Sequence, residues 1–242
     1  MSSNVLLELN EVHTHIGAYH ILHGVNLQIP RGELTLLLGR NGAGKTTTLR
    51  TIMGLWQASQ GTVNFNGHDI THMNTPDIAA LNIAYVPENM GIFSDLTVEE
   101  NMLLAARKAS RAQQMDADRL AWIYAMFPAV EKFWHHPAGK LSGGQKQMLA
   151  VARAMVEPRD LLIVDEPSKG LAPAIVQNMI DAFQKMKASG VSILLVEQNI
   201  HFAQQLGDSV AVMDNGRVIH AGSMAALSAD PALQQSLLGL AL

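Results

Sequence analysis

The segment GRNGAGKT, from Gly39 to Thr46, limits the possible folds of this chain more than any other stretch. It fits the pattern G-x-x-x-x-G-K-[ST] at every fixed position, and it lies between the apolar run LTLLL and a helix-like run. In this pattern the glycines let the backbone wrap around phosphate oxygens, and the following helix adds its positive end. A plain glycine-rich turn is the alternative, but the flanking segments are the context that a phosphate loop requires. The segment therefore predicts a strand–loop–helix unit that binds a nucleoside triphosphate.

The roles within this loop follow from the motif. We expect the Lys45 ammonium to reach the β- and γ-phosphates and the Thr46 hydroxyl to bind Mg²⁺. No Asn-Lys-x-Asp stretch, of the kind that GTPases use for guanine, is present, which favours ATP over GTP. The predicted ATP-binding residues of the loop are Gly39, Arg40, Asn41, Gly42, Ala43, Gly44, Lys45, Thr46 and Thr47.

Two adjacent acids complete a predicted metal and catalytic centre. Asp165 ends the apolar run LLIVD, and Glu166 follows it. An acid at the end of a buried strand would hold Mg²⁺, directly or through water, and Glu166 would orient or deprotonate the attacking water. A solvated acid pair in a loop would be the better interpretation only if the phosphate loop were absent.

The remaining pattern predicts an α/β sheet core that is interrupted by helices. Residues 5–38 are β-rich, residues 61–70 fit a hairpin with Asn66-Gly67 at its turn, and IAYVP fits a short strand. Residues 97–157 have helical composition, including TVEENMLLAARKASRAQQ, and the segments DLLIVDE, SILLVEQ, SVAVM and RVIHA return to strands.

Composition excludes several classes of protein. With 48% hydrophobic and 16% charged residues among 242, the chain is globular rather than disordered. The net charge of −4 argues against a dedicated nucleic-acid binder, and the 0 cysteines exclude disulfides and thiol chemistry. The N-terminus does not fit a secretory signal, and the apolar runs are of strand length, shorter than a membrane span.

The string LSGGQ, from Leu141 to Gln145, narrows the class further. It holds no titratable group, but Ser-Gly-Gly at the start of a helix suits contact with an anion. Alone it fits an ordinary helix start. Between the phosphate loop and Asp165, however, it makes the chain resemble the nucleotide-binding subunits of ABC transporters, from about residue 5 to residue 239.

This resemblance implies the fold and its division. We expect an α/β P-loop NTPase with a RecA-like core, an N-terminal antiparallel β subdomain and an inserted helical subdomain. Residues 1–242 would form a single ABC ATPase domain, with the ATP-binding core at 1–87 and 158–242 and the helical signature subdomain at 88–157.

The resemblance also assigns further site residues. Two cassettes of this family bind head to tail around two ATP molecules, so the signature would contact the γ-phosphate held by the partner cassette. Tyr19 would stack on adenine, although a partly buried core tyrosine is the alternative. The signature residues are Leu141, Ser142, Gly143, Gly144 and Gln145.

Three positions depart from the common family pattern. Glu88 replaces a glutamine, Gln198 replaces a histidine, and Ala172 replaces an acid. Glutamine can hydrogen-bond the γ-phosphate but carries no charge, and a carboxylate at position 88 either ligates the metal or leaves that role to water. We therefore predict Glu166, Lys45 and Gln198 as catalytic residues and Thr46, Asp165 and Glu88 as metal ligands.

The departures fit either a weakly active cassette or one subgroup of the family. The strings YVPE, LTVEEN, EPSKGLAP and LLVEQN and the C-terminal LLG together resemble the ATPase subunits of importers for branched-chain amino acids and their urea and amide relatives. That subgroup carries the same replacements with the Glu166 position retained, which implies an active ATPase. It often pairs two non-identical cassettes.

The resemblance also implies the partners and the location. These are a second cassette (a homologous chain or a second copy), polytopic permease subunits and indirectly a substrate-binding protein, with no nucleic acid. The chain would lie peripherally at the cytoplasmic face of the cell (inner) membrane. The alternatives are a soluble ABC ATPase of DNA repair or translation, for which the chain lacks a basic surface or tandem cassette, and a non-catalytic regulatory subunit, which Glu88 and Gln198 would support.

Overall fold

The computed structural model describes residues 4–106 and 115–239. The strands of these residues are β1 (Val5–Ile16), β2 (Tyr19–Pro30), β3 (Leu34–Gly39), β4 (Ala58–Phe65), β5 (His68–Asp69), β6 (Ile83–Val86), β7 (Leu161–Asp165), β8 (Ser192–Glu197), β9 (Ser209–Asp214) and β10 (Arg217–Ser223). The helices are α1 (Lys45–Ile52), α2 (Thr75–Ala80), α3 (Val98–Ala105), α4 (Ala117–Met126), α5 (Pro128–Lys132), α6 (Gly143–Ala154), α7 (Pro173–Ala188), α8 (Ile200–Gln204), α9 (Met224–Ala229) and α10 (Pro231–Leu238).

An antiparallel sheet in the order β2-β1-β4-β5 forms the N-terminal part of the fold. β1 lies between β2 and β4 and pairs antiparallel with both. The predicted hairpin connects β4 to β5: Asn66 and Gly67 both have positive φ, 52° and 78°, as a tight two-residue hairpin turn requires. The predicted antiparallel β subdomain is confirmed.

A second sheet, in the order β10-β9-β3-β8-β7-β6, carries the centre of the fold. β9, β3, β8, β7 and β6 run parallel, and β10 is an antiparallel edge strand. Every residue of β3, β7 and β8 is buried, which explains their unbroken apolar sequences. Because these strands are parallel, their carboxyl ends at Gly39, Asp165 and Glu197 meet at one edge, the usual place for a ligand in such sheets.

Helices α3 to α6 lie between β6 and β7, where the sequence predicts the helical insert. Thr97 and Glu100 form a capping box that starts α3, since the side chain of each accepts a backbone N–H of the other. Within the predicted helical stretch TVEENMLLAARKASRAQQ, α3 ends at Ala105, and residues 107–114 lie outside the described residues. The subdomain boundaries at residues 88 and 157 stay a prediction.

The large sheet separates two apolar cores. On β3, Leu36 packs with the core that includes the helical insert, whereas Leu37 packs with the core beneath the antiparallel sheet, because successive side chains point to opposite faces. Met148, Val151 and Ala152 lie on one face of α6 and are buried in the first of these cores. No helix among residues 4–106 and 115–239 has the length and apolarity to cross a membrane.

Candidate functional site

The phosphate loop connects β3 to α1 as the sequence predicts. Gly39, Gly42 and Gly44 have φ of 150°, 82° and 103°, which side-chain-bearing residues rarely adopt. At Gly39 a Cβ atom would also overlap the Met213 carbonyl oxygen of β9, so glycine is required for two reasons. The loop backbone is thereby held in the tight turn that a phosphate cradle needs.

Lys45 lies under this loop with only 5% of its surface exposed. Its ammonium donates to the carbonyl oxygens of Gly39 and Arg40 at 2.8 and 3.1 Å and lies 3.8 Å from Glu166 Oε1. Burial lowers the pKa of Lys45, and the charge of Glu166 opposes this shift most strongly. Lys45 therefore brings one positive charge into contact with both the loop and the acid after β7.

Asp165 fits the predicted metal site. Its side chain is 1% exposed, and neither carboxylate oxygen has a hydrogen-bonding partner among the described residues. Burial raises the pKa of Asp165, while the nearby Thr46 hydroxyl lowers it without reaching good hydrogen-bond geometry. A buried carboxylate with two unpartnered oxygens beside a hydroxyl suits a hard divalent cation such as Mg²⁺.

Glu166 and Gln198 meet above the phosphate loop. Glu166 has a φ of 49°, a sparsely populated conformation for a non-glycine residue, and its backbone N–H donates to Val196 at 2.9 Å. The Gln198 amide donates to Asn41 Oδ1 at 2.8 Å and also to Glu166 Oε1. The neutral residue at position 198 thus joins the phosphate loop to the predicted general base.

Glu88 is held by Lys169 rather than by the phosphate loop. The Lys169 ammonium lies 2.6 Å from Glu88 Oε1 and 3.4 Å from Glu166 Oε2. The hydrogen bond to Glu88 is the largest cause that raises the pKa of Lys169. The carboxylate that departs from the family pattern is therefore neutralised by a cation of the loop after β7, and its role as a metal ligand stays a prediction. The other departure, Ala172, caps α7 without a side-chain hydrogen bond.

Tyr19 begins β2 and is 76% exposed, so its ring is free to stack on a base. Its strand contacts the phosphate loop through Gly216 in the turn between β9 and β10. The Gly216 N–H donates to Ala43, and its carbonyl accepts from His23 of β2, both at 2.9 Å. The predicted adenine-stacking strand and the predicted phosphate loop are therefore joined by one glycine that the sequence did not single out.

The signature starts α6. Ser142 and Gln145 form a capping box in which each side chain accepts the other's backbone N–H. A Cβ at Gly144 would lie 2.8 Å from Ile175 of α7, so this glycine allows two helices to pack. A Cβ at Gly143 would meet no atom of the described chain within 4 Å. Of these two glycines, packing against the described residues explains Gly144 but not Gly143.

Sequence reasoning missed Glu197, the buried last residue of β8. Its carboxylate accepts the backbone N–H of Ser168 at 2.9 Å, and burial raises its pKa. The sequence analysis also assigned no catalytic role to Lys169. These residues lie in the strings EPSK and VEQN. The contact between Ser168 and Glu197 joins residues that are 29 positions apart, so no local pattern predicts it.

This fold and this site define a P-loop nucleotide hydrolase. This class uses a strand–loop–helix phosphate cradle, a buried lysine and acids at the carboxyl end of another strand of the same parallel sheet. Here Asp165 ends β7 and Glu166 follows it.

Comparison with known proteins gives the family. A family model described as ABC transporter matches residues 22–169. The high-affinity branched-chain amino acid transport ATP-binding protein BraG of Pseudomonas aeruginosa is 36% identical over 97% of this chain and 100% of its own length. The probable branched-chain amino acid transport ATP-binding protein LivF of Archaeoglobus fulgidus is 37% identical, covering 84% of this chain and 86% of its own.

A solved structure agrees with these sequences. A structure described as the ATP binding subunit of an ABC transporter superposes with a TM-score of 0.80 at 30% identity, covering 97% of this chain and 96% of its own. The chain belongs to the ABC transporter family, and the predicted α/β P-loop fold is confirmed.

Proposed function

We propose that this chain is the ATP-hydrolysing subunit of a membrane importer for branched-chain amino acids or a related small polar solute. One observation carries the hydrolytic part of the proposal: Lys45, Asp165 and Glu166 meet at one edge of the parallel sheet. The sequence similarity to branched-chain amino acid transport proteins, which spans nearly the whole chain, supports the choice of transporter and solute. A urea or amide importer is the alternative within the same class.

The residues of the site divide the work of hydrolysis. The glycine loop and Lys45 bind and orient the phosphates of ATP, and Tyr19 stacks on adenine. Thr46 and Asp165 would hold Mg²⁺, which supplies charge neutralisation at the phosphates when bound. Glu166 orients or deprotonates the attacking water, and Gln198 fixes the Glu166 carboxylate against Asn41 of the loop.

A second cassette would complete the site. Ser142 and Gly143 are exposed at the start of α6, and the open space at Gly143 leaves room for a phosphate to approach the helix N-terminus. We propose that they bind the γ-phosphate held by this partner, which is either a second copy or a homologous chain. Closure of two cassettes around ATP would then transmit work to the permease.

A groove of about 1040 Å³ between the core and the helical insert is the proposed permease contact. It is lined by Leu55, Trp56, Tyr85, Met90 and Arg153, among others. Buried nitrogen atoms of Trp56 and Arg153, Nε1 and Nε respectively, have no hydrogen-bond partner among the described residues. Such donors beside an apolar groove suit a partner segment that supplies acceptors, such as a cytoplasmic helix end of a permease. Contact with the permease would place the chain peripherally at the cytoplasmic face of the membrane.

The test is a tagged purification of the full chain from detergent-solubilised membranes of its source cell, with co-purifying chains identified by mass spectrometry. Recovery of polytopic permeases and a second cassette supports the importer, and the accompanying binding protein indicates the solute. Recovery of soluble chains alone or of nucleic acid would support a soluble ABC ATPase instead.

A matched pair of variants tests the groove. Leu55 and Ile219 are both 49% exposed, but Leu55 lines the groove and Ile219 lies on the edge strand β10. The Leu55→Asp chain should no longer co-purify with permease subunits although it still binds ATP. The Ile219→Asp chain should still co-purify with them. Equal recovery with both variants would place the permease contact elsewhere.

The non-catalytic regulatory alternative has its own test. If ATP turnover by the pure chain is unchanged by Glu166→Gln, that alternative is favoured.

A further inference from the structure

Glu197 is a buried carboxylate to which the proposed mechanism assigns no role. It ends β8 with 2% of its surface exposed, and no cation lies within ion-pair distance of it in the described part of the chain. A buried charge of this kind is unfavourable unless hydrogen bonds compensate for it. The partners that Glu197 does have are therefore informative.

Three backbone N–H groups from two loops donate to it, and the Ser168 hydroxyl lies close enough to lower its pKa as well. Oε1 accepts from Ser168, in the loop after β7, at 2.9 Å. Oε2 accepts from Gln198 and Asn199, in the loop after β8, at 3.1 and 3.3 Å. Each oxygen thus serves a different loop, and the carboxylate joins the two.

Both loops carry residues of the proposed hydrolytic site. The loop after β7 begins with Glu166, two residues before Ser168, and the loop after β8 begins with Gln198. The side chains of Glu166 and Gln198 meet directly, and Gln198 also contacts Asn41. A shift of either loop backbone would therefore change the contact between the general base and the residue that orients it.

We propose that Glu197 is a positioning residue for ATP hydrolysis: its two oxygens clamp the loop after β7 to the loop after β8 and so fix Glu166 against Gln198. The proposal rests on the proposed ATPase function. Only an ionised carboxylate suits this clamp, since it accepts at both oxygens and donates at neither. Glutamine would turn an N–H₂ group towards one of the two loops, and aspartate would be one methylene too short to reach both.

Ser192, at the other end of the same strand, provides the matched control. It is also 2% exposed, and its hydroxyl oxygen accepts the backbone N–H of Gly32 at 2.9 Å. Like Glu197, it joins β8 to a backbone N–H of another segment, but it lies at the amino end of the sheet, away from the site. Ser192→Ala therefore measures the loss of such a link without a change at Glu166.

The first experiment compares Glu197→Gln and Ser192→Ala in the full chain by steady-state ATP hydrolysis and by equilibrium ATP binding. We expect Glu197→Gln to lower kcat about tenfold or more while the Kd for ATP stays within about twofold, because neither the phosphate loop nor Tyr19 is changed. Ser192→Ala should change neither value. A kcat within twofold of the native value for folded Glu197→Gln would overturn the proposal.

Gln198→Ala, made in both backgrounds, separates positioning from general stability. If Glu197 acts through Gln198, the loss of kcat caused by Gln198→Ala should largely disappear in the Glu197→Gln chain. Independent, additive losses would contradict the clamp and leave Glu197 as a stabilising residue only.

Amide hydrogen exchange tests the clamp without reference to activity. In Glu197→Gln the amide of Ser168, or those of Gln198 and Asn199, should exchange at least about tenfold faster, whereas Gly32 should be unchanged. In Ser192→Ala the reverse is expected. Unchanged exchange at all three clamped amides would overturn the proposal. A native chain that fails to hydrolyse ATP but shows this exchange pattern would overturn the proposed function and leave the clamp itself standing.

Discussion

Two Asn-Gly turns of this chain allow the contact between the phosphate loop and the Tyr19 strand to be measured. Asn66-Gly67 connects β4 to β5, and Asn215-Gly216 connects β9 to β10. The two glycines have similar φ, 78° and 72°. A Cβ at Gly67 would meet nothing within 4 Å, whereas a Cβ at Gly216 would overlap the Ile21 carbonyl oxygen and lie 2.7 Å from His23 Cδ2.

The expected magnitudes follow from this difference. Alanine at either position takes a left-handed backbone conformation, which costs about 1–2 kcal/mol. At Gly216 the backbone must also move away from β2, and the hydrogen bonds to Ala43 and His23 are then lost. At about 1 kcal/mol net for each hydrogen bond, Gly216→Ala should destabilise the chain by about 3–4 kcal/mol, roughly 2 kcal/mol more than Gly67→Ala.

The assay is urea unfolding of both variants, followed by tryptophan fluorescence, together with equilibrium ATP binding. Gly216→Ala should also raise the Kd for ATP by roughly tenfold, which corresponds to a loss of about 1.4 kcal/mol in the free energy of ATP binding. Gly67→Ala should bind ATP like the native chain. Equal losses of stability for the two variants would refute the argument, since they would show that a Cβ at Gly216 does not collide with Ile21 and His23 of β2.

Two further predictions concern the metal and the partner. Without nucleotide and Mg²⁺, Asp165→Asn should raise the free energy of unfolding at pH 8 by about 1–3 kcal/mol, because it removes a buried, unpartnered charge. Burial raises the pKa of Asp165 in the folded state, so this gain should shrink as the pH falls through that pKa in a series of unfolding measurements from pH 8 downwards. A gain that stays constant over the whole pH range in which the chain folds would contradict it. Gly143→Ala should leave the unfolding midpoint unchanged yet lower ATP turnover, since its Cβ meets no atom of the described chain; unchanged turnover would argue against a phosphate contact there.

The parts of the fold that the sequence predicted are those with local signals. The phosphate loop is contiguous, the Asn66-Gly67 turn has a two-residue signal, and the strands of the parallel sheet are unbroken apolar runs because both faces are covered. The order of the strands has no such signal. β3 and β8 are neighbours although most of the chain separates them, so their pairing depends on long-range packing.

The difference between local signals and long-range packing also explains how much of the site the sequence predicted. The types of residue at the carboxyl ends of β3 and β7 predicted its chemistry, but not which side chains touch. Glu88 and Lys169 are 81 residues apart and Gln198 and Asn41 are 157 apart, and neither pair has a pattern in the sequence. Sequence analysis therefore predicted Glu88 as a metal ligand without the cationic partner that the structure shows.

The contact with Lys169 changes that interpretation. Since Glu88 and Glu166 share one ammonium group, the charge added at position 88 is accompanied by a neutralising charge at position 169. Gln198 is bound in the same way to both Asn41 and Glu166. Two of the departures from the common family pattern thus make specific contacts around one catalytic carboxylate. These contacts balance the charge of Glu166 and hold its carboxylate in place, as an active general base requires, so they favour the active cassette over the weakly active one.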